Sequence, residues 1–393
     1  MKIMKKLLKI PFFCFGYLLY YCSFLIKRDD NIWVFGSYGD YNDNSRYLYE
    51  FLRNDESYHI RCVWISSRKK SVLMARENGG EAYYTWSLKG IYYALIAKVY
   101  IFSSYISDIN MFASGGAILV NLWHGIPLKK IEFDIDTGPL AKVFKRASLL
   151  TRIRYPAQHR KLDYVLAPSQ YVAEYSFISA FRLRGMQDII ISSYPRVEDL
   201  LRKASYEKLE QKKFSFLYAP TWRDTGDDFF YVAGIDLNIL NQNLIEMDAI
   251  FFLKFHANTK ISIDVDAFSN IFIIDNKQDP NQVLSQADCL ITDYSSIYFD
   301  YSYLGRDVIF YPFDLLNFTR NREMYITYDE YAIGPKAMSF DELISMMKLV
   351  RSNHFLGVKT SKDISSKFIS KFIGYKNLVD KILEKNIKGN GFL

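Results

Sequence analysis

Cysteine is scarce in this chain. Only Cys14, Cys22, Cys62 and Cys289 occur among 393 residues. No two stand at metal-ligand spacing, and four so scattered make no disulfide framework. That usage suits a reducing, cytoplasmic compartment. Acid is missing from residues 1–28, which hold Lys2, Lys5, Lys6, Lys9, Lys27 and Arg28. Six of the 50 basic residues lie there, leaving 44 against 43 acidic ones in the rest of the chain. The formal charge of +7 is therefore an N-terminal property, and the folded region lacks the basic excess of a nucleic-acid-binding domain. No GxGxxG follows the first strand-like run, so a dinucleotide fingerprint is not supported there. The acidic pairs Asp134/Asp136 and Asp264/Asp266 follow no convincing strand, as a metal-binding acidic loop would. No metal and no cofactor are expected. Low-complexity tracts and short-period repeats are also missing.

What is present begins with apolar side chains. Half of the residues are hydrophobic and 17% are aromatic, enough for two domains with their own cores. Residues 10–26 are apolar or aromatic apart from Ser23. As a helix they would span about 26 Å, short of the roughly 30 Å hydrocarbon core. Lys27-Arg28-Asp29-Asp30 follows them, not a small-residue cleavage site. Basic residues at both ends give no crossing direction, and Tyr17, Tyr20 and Tyr21 suit an interface. The expectation is a helix lying in the cytoplasmic leaflet of the cell membrane, with its lysines on anionic lipid. A transmembrane anchor is the alternative.

Beyond it, strand-like and helix-like runs alternate. Residues 32–37, 60–65, 99–103 and 117–123 read as strands, with helices near 44–52, 69–78 and 88–97 between them. Residues 163–169 and 189–196 read as further strands with their loops. Alternation of this kind implies a parallel sheet with helices on both faces, whose ligands sit beyond the strand C-terminal ends. No acid occurs between Asp136 and Asp163, while Lys142, Lys145, Arg146, Arg152, Arg154, Arg160 and Lys161 do. Val143, Ala147 and Leu150 share a stripe there. The stretch reads as a basic amphipathic helix, suited to anionic lipid or to a phosphate-bearing acceptor, or as a solvated face. The charged residues 200–213 make the best domain boundary. A second sheet then follows, with strands near 214–220, 250–256, 271–274, 289–292 and 308–311, and closing helices at 339–350 and 365–384.

Chemistry-bearing residues gather at the strand ends. His124 follows the strand 118–122, and Gly125 and Pro127 end it. A neutral imidazole there can take a proton from a hydroxyl near pH 7, though a lone histidine is often structural. Arg196 follows the run 189–191, and a guanidinium suits a phosphate. In the second half the ends hold Thr221, Arg223, Lys254, His256, Ser295 and Ser296. Cys289-Leu290-Ile291-Thr292 reads as a buried strand and Asp293-Tyr294-Ser295-Ser296 as a tight turn. A helix begins at Ile297, with Asp293 or Ser295 as its cap. Unpaired N–H groups at such a turn, beside two hydroxyls, suit a phosphate; an ordinary strand-to-helix corner is the bland alternative. Asp300 lies one turn beyond Ser296. Arg320, Arg322 and Tyr325 add a basic, aromatic loop.

These residues resemble the CDP-glycerol glycerophosphotransferase family, the teichoic-acid and capsule glycerol-phosphate transferases. The likeness rests on NLWHGIPLKK at 121–130, YPR at 194–196, YAPTWRD at 218–224, KFH at 254–256, ITDYSSIYFDY at 291–301 and REMY at 322–325. It runs from about residue 31 to about 335. Two positions depart from the family pattern: Glu323 stands where its Arg-Gly motif has glycine, and Ala257 where proline usually follows the histidine.

The resemblance implies an α/β chain of GT-B type, two Rossmann-like domains facing across a cleft. The domains expected are 1–28 as the membrane-associating segment, 29–205 on the acceptor side and 206–393 for the donor, with the last helix packing back on the N-terminal domain. It implies transfer of glycerol phosphate from CDP-glycerol to a hydroxyl of a membrane-linked or capsular acceptor, releasing CMP. His124 maps onto the family's general base and His256 onto a second histidine that contacts the donor phosphates. Donor contacts map onto Trp123, Gly125, Ile126, Pro127, Arg196, Thr221, Trp222, Lys254, Phe255, Ser295, Ser296 and Asp300, and Arg322 falls in the variant Arg-Gly motif. Two alternatives stay open: a sugar transferase or other polyol-phosphate transferase with a different nucleotide donor, and a non-catalytic membrane protein that binds polyanions.

Overall fold

In the computed structural model, residues 10–206, 213–221, 232–255, 265–275, 278–320, 322–352 and 367–389 are described. The chain divides into two compact units. One comprises Met1–His124, Ile131–Arg196 and Ile373–Leu393; the other comprises Gly125–Lys130 and Val197–Phe372.

The first unit opens with helix α1 (Ile10–Ser23). Its inner face is small and hydroxylated where it meets the protein. A Cβ on Gly16 would stand 2.9 Å from the Phe112 ring, so only glycine fits that approach. Ser23 Oγ accepts the Gly115 N–H at 2.8 Å, and Tyr17 donates to the Ile153 carbonyl at 3.0 Å. Phe15, Leu18 and Tyr21 share the opposite face and are exposed, as is Leu25 just beyond the helix, to 87%. Among the described residues no helix is long and apolar enough to cross a membrane.

Next come β1 (Asp29–Gly36), α2 (Asp43–Arg53), β2 (Arg61–Ser66), α3 (Lys69–Glu77), β3 (Ala82–Tyr84), α4 (Leu88–Ile96), β4 (Ala97–Phe102) and β5 (Ile118–Asn121). Strands β6 (Tyr164–Ala167) and β7 (Ile189–Ile191) complete a seven-stranded sheet in the order β3-β2-β1-β4-β5-β6-β7. Every pairing in it is parallel. Parallel strands are buried on both faces, so they are written as unbroken apolar runs. Trp33, Val34 and Phe35 of β1 and Tyr100, Ile101 and Phe102 of β4 are fully buried accordingly. Strand β1 ends at Gly36, where a Cβ would lie 2.7 Å from the Asp108 carbonyl oxygen.

Residues 142–161 are not one helix. Ser148 accepts the Thr151 N–H and starts the short helix α5 (Leu149–Arg154), and Pro156 begins a separate turn. The expected amphipathic helix carrying Val143, Ala147 and Leu150 on one stripe is thus replaced by turns and a helix that starts only after the Ser148 cap. Leu149, Leu150 and Ile153 are exposed.

Helix α6 (Pro195–Tyr206) occupies the start of the stretch read as a charged linker. Its charges lie on one face as i,i+4 ion pairs, Arg202 with Glu198 and Lys203 with Asp199. Val197, Leu200 and Ala204 are buried on the other. Helical spacing, which a search for strands overlooks, hid this element.

The second unit contains β8 (Phe214–Tyr218), α7 (Leu237–Glu246), β9 (Ala249–Leu253), β10 (Ile271–Ile273), α8 (Pro280–Gln286), β11 (Cys289–Thr292), α9 (Ile297–Ser302), β12 (Asp307–Phe310) and α10 (Phe340–Arg351). Its sheet runs β10-β9-β8-β11-β12, again parallel throughout. Phe216, Tyr218, Phe251, Leu253 and Ile291 centre its core, with Leu343 and Met347 of α10 packed on them. Helix α11 (Tyr375–Gly389) belongs to the first unit, where Lys381 donates to the Ile191 carbonyl and Tyr375 to the Asp55 carboxylate. It begins ten residues later than the sequence pattern suggests.

Candidate active site

Each sheet changes direction once. Strand order reverses between β1 and β4 in the first unit and between β8 and β11 in the second. Ligands of open α/β sheets bind beyond the strand C-terminal ends at such a point. In the second unit Thr221 and Ser295 follow the two strands at that point, whereas in the first His124 follows β5, the neighbour of β4.

In the first unit, β5 runs into Trp123 and His124. The turn is sharp: Trp123 has a φ of 50°, a strained value for a bulky side chain. Its N–H is held by Asn121 Oδ1 at 2.9 Å, and its ring is buried against Phe181, 4.9 Å between centroids. This turn exposes His124 while keeping Trp123 inside. His124 Nδ1 lies 3.1 Å from the Ser103 carbonyl at the end of β4. A carbonyl oxygen only accepts, so Nδ1 carries the hydrogen and Nε2 of the neutral ring keeps its lone pair. That is the tautomer a base needs.

Arg196 lies in the first turn of α6. One of its nitrogens, Nη1, donates to Asp43 Oδ1 and to the His124 carbonyl, both at 3.0 Å. Asp43 was not anticipated as its partner. The only signal for it was a polar Asn-Asp-Asn-Ser run following the first strand. Nearby, Tyr105 donates to Glu132 at 2.7 Å, and Asp108 Oδ2 accepts the Tyr105 N–H at 3.1 Å. Burial pushes both carboxyls up to about 7; the Tyr105 hydroxyl opposes this at Glu132, and backbone N–H groups oppose it at Asp108.

In the second unit, Asp293 does not cap α9 as expected. Its carboxylate takes the N–H groups of Thr221 at 2.8 Å and Tyr294, joining the ends of β8 and β11. Ser296 is the N-cap residue, with no side-chain cap bond, and Ser295 Oγ stands 3.4 Å from the Ile297 nitrogen. Both serines are half-buried, whereas Asp300 is buried. Lys254 is buried too, and it donates to the carbonyls of Asp275 at 3.2 Å and Gln278 at 3.0 Å. Burial lowers its pKa, with Asp275 and Asp279 opposing. Phe255 is buried beside it. His256, Trp222 and Arg223 lie outside the described residues.

Gly125, Ile126 and Pro127 are buried in a segment that belongs to the second unit. There the Lys-Lys and Arg-Glu-Met-Tyr motifs meet. Tyr325 N–H donates to the Leu128 carbonyl at 3.0 Å and Lys130 N–H to that of Glu323 at 2.8 Å. Arg322 and Lys129 both lie over the Phe318 ring, at 4.2 and 4.6 Å from its centroid. Phe318 stacks on Tyr294 at 3.6 Å, and Tyr294 donates to Asp314. Neither Lys129 nor Phe318 was singled out in the sequence; an isolated aromatic residue gives no signal before the fold brings cations to it.

The fold is shared with a solved protein. The wall teichoic acid polymerase TagF superposes with a TM-score of 0.74 at 23% identity, over 99% of this chain and 98% of that one. Among sequences, the chain is 28% identical to the teichoic acid poly(glycerol phosphate) polymerase of Bacillus spizizenii, covering 81% of this chain and 84% of that protein. It is 26% identical to the polymerase of the same name from Staphylococcus epidermidis, of which it spans 45%. The family model described as CDP-glycerol:poly(glycerophosphate) glycerophosphotransferase matches residues 18–377. With nearly its whole length matched, the chain belongs to that family.

Proposed function

We propose that this protein transfers glycerol phosphate from CDP-glycerol to a hydroxyl of a teichoic-acid-like acceptor, membrane-linked or capsular, and releases CMP. The observation that carries the reading is the contact of His124, an exposed imidazole whose Nδ1 lies 3.1 Å from the Ser103 carbonyl, an arrangement that puts the hydrogen on Nδ1 and leaves Nε2 basic. In this reading Nε2 takes the proton of the acceptor hydroxyl. The hydroxyl oxygen attacks the phosphorus that bears glycerol, and the bond to the CMP oxygen breaks with its electron pair leaving on CMP. His256, Lys254, Arg196, Thr221, Ser295 and Ser296 would hold the diphosphate by cationic and hydrogen-bond contacts. Trp123, Phe255, Asp300 and Arg322 would shape the surroundings. Lys254 reaches that role with two of its N–H groups already on the backbone carbonyls of Asp275 and Gln278.

The same reading places the protein at the cytoplasmic membrane surface. The outer face of α1, with Leu149, Leu150 and Ile153, offers exposed apolar side chains. Tyr17 of α1 bonds to Ile153, so these two elements adjoin. Arg152, Arg154 and Arg160 stand in the same stretch as the three apolar residues. An apolar face bordered by arginine suits anionic headgroups over an acyl layer.

The experiment is a donor panel. Purified protein is given CDP-glycerol, CDP-ribitol or a UDP-hexose with a glycerol-phosphate-primed acceptor, and nucleotide release is followed. CMP from CDP-glycerol supports the reading; UDP release, or release only from CDP-ribitol, replaces it.

A further inference from the structure

Three consecutive residues at the start of α2 reach the parts of the His124 turn. Asn44 is fully buried. Its Nδ2 donates to the Trp123 carbonyl at 2.7 Å, and its Oδ1 faces the Arg196 N–H at 3.4 Å. Asp43 carries the charge partner of Arg196 at 3.0 Å. Ser45 N–H donates to Ser103 Oγ at 3.0 Å, and Ser103 is the residue whose carbonyl holds His124 Nδ1. None of this caps the helix well. The N-cap residue Asn42 makes no side-chain cap bond, and Asp43 has a φ of 64°. A helix start chosen for stability alone would spend its polar side chains on its own N–H groups and avoid that backbone strain. Here Asp43 Oδ1 does take the Asn44 N–H at 2.7 Å, but the Asn44 amide and the second contact of Asp43 are turned toward the loop after β5 and the first turn of α6.

We infer that Asn44 is a positioning residue for His124, assisted by Asp43 and Ser45. By fixing the Trp123 carbonyl, Asn44 keeps the strained turn in place, and the turn keeps Nδ1–H on the Ser103 carbonyl. Losing that bond would leave a mixture of tautomers, of which only part presents a basic Nε2. The inference deepens the proposed transfer reaction and rests on it for the kinetic part of its test.

Asn44→Ala and Asn44→Asp are compared with wild type in full-length protein. The aspartate variant is isosteric and keeps an acceptor for Arg196 while losing the donor to Trp123, so it serves if the alanine variant fails to fold. Either change is expected to lower kcat for CMP release about a hundredfold, the scale of a small misplacement of a catalytic group. KM for CDP-glycerol is expected to stay within about threefold. In a His124→Ala background the same changes are expected to cost less than about twofold, because the group they position is gone. A residue that only supports folding would lower activity by the same factor in both backgrounds, and that result overturns the inference. The readout free of activity is the His124 ring-nitrogen NMR shift. It is expected to report the Nδ1–H tautomer in wild type and a mixture in the variants; an unchanged tautomer in the variants also overturns the inference. If wild type releases no CMP, the reaction reading fails and the NMR result alone decides the role of Asn44.

Discussion

A carbonyl oxygen decides which nitrogen of His124 is basic, and this is the chemistry most open to test at the scale of single residues. Replacing His124 with alanine is expected to lower turnover by about 10²–10⁴-fold, the usual contribution of a general base. Affinity for CDP-glycerol, measured by calorimetry, is expected to change little, because the ring handles the acceptor proton. The buried acids nearby make a different prediction. Asp108 and Glu132 are held up to about 7, above the values they have in an unfolded chain. The folded state therefore keeps their protons where the unfolded state has lost them. The stability they confer is complete below about pH 4 and is lost as pH rises toward 7 and above. Asp108→Asn removes its share of this dependence. Relative to wild type, its melting temperature is expected to be higher by roughly 3 °C or more at pH 8 than at pH 5. An equal difference at the two pH values would show that the Asp108 carboxyl titrates normally.

At the scale of elements, the strands were the most legible part of the chain. Ile118 to Val120 and Cys289 to Ile291 are unbroken apolar runs, as strands paired on both sides in a parallel sheet are written. The helices were less legible where charge masked periodicity, as in α6, or where a cap and a proline divided a basic stretch, as around α5. Of the candidate site residues, His124 and Arg196 were legible from their type alone. Asp43, Asn44 and Phe318 were not, because their roles come from partners 79 to 153 positions away for the first two and from cations brought together by a loop for the third. The end of β1 gives the prediction belonging to this scale. At Gly36 a Cβ would meet the backbone oxygen of Asp108 at 2.7 Å and Ile109 at 2.8 Å. Backbone cannot yield as a flexible side chain can. Gly36→Ala is expected to cost about 1–3 kcal/mol in urea unfolding, and a loss below about 0.5 kcal/mol would show that the loop at 108–109 moves aside.

At the scale of the whole molecule, the two units each hold a parallel sheet that reverses its order once, with polar side chains following the strand C-terminal ends. This follows from alternating strands and helices, and it needs no knowledge of which residues touch. The chain passes between the units at 124/125, 130/131, 196/197 and 372/373, which no composition signal marked. The attachment to a membrane surface proposed above also belongs to this scale. Leu18→Glu with Leu25→Glu changes only exposed positions, one in α1 and one just beyond its end. The pair is expected to weaken binding to vesicles of mixed phosphatidylcholine and phosphatidylglycerol by at least about tenfold with CMP release in solution retained. Undiminished vesicle binding would remove α1 from the attachment.

The most direct measurement is CMP release by the purified full-length chain from CDP-glycerol, with and without a glycerol-phosphate-primed acceptor. The account predicts CMP only when acceptor is present, one glycerol phosphate gained per CMP formed, and loss of both with His124→Ala. Equal CMP release without acceptor, or none with it, would contradict it.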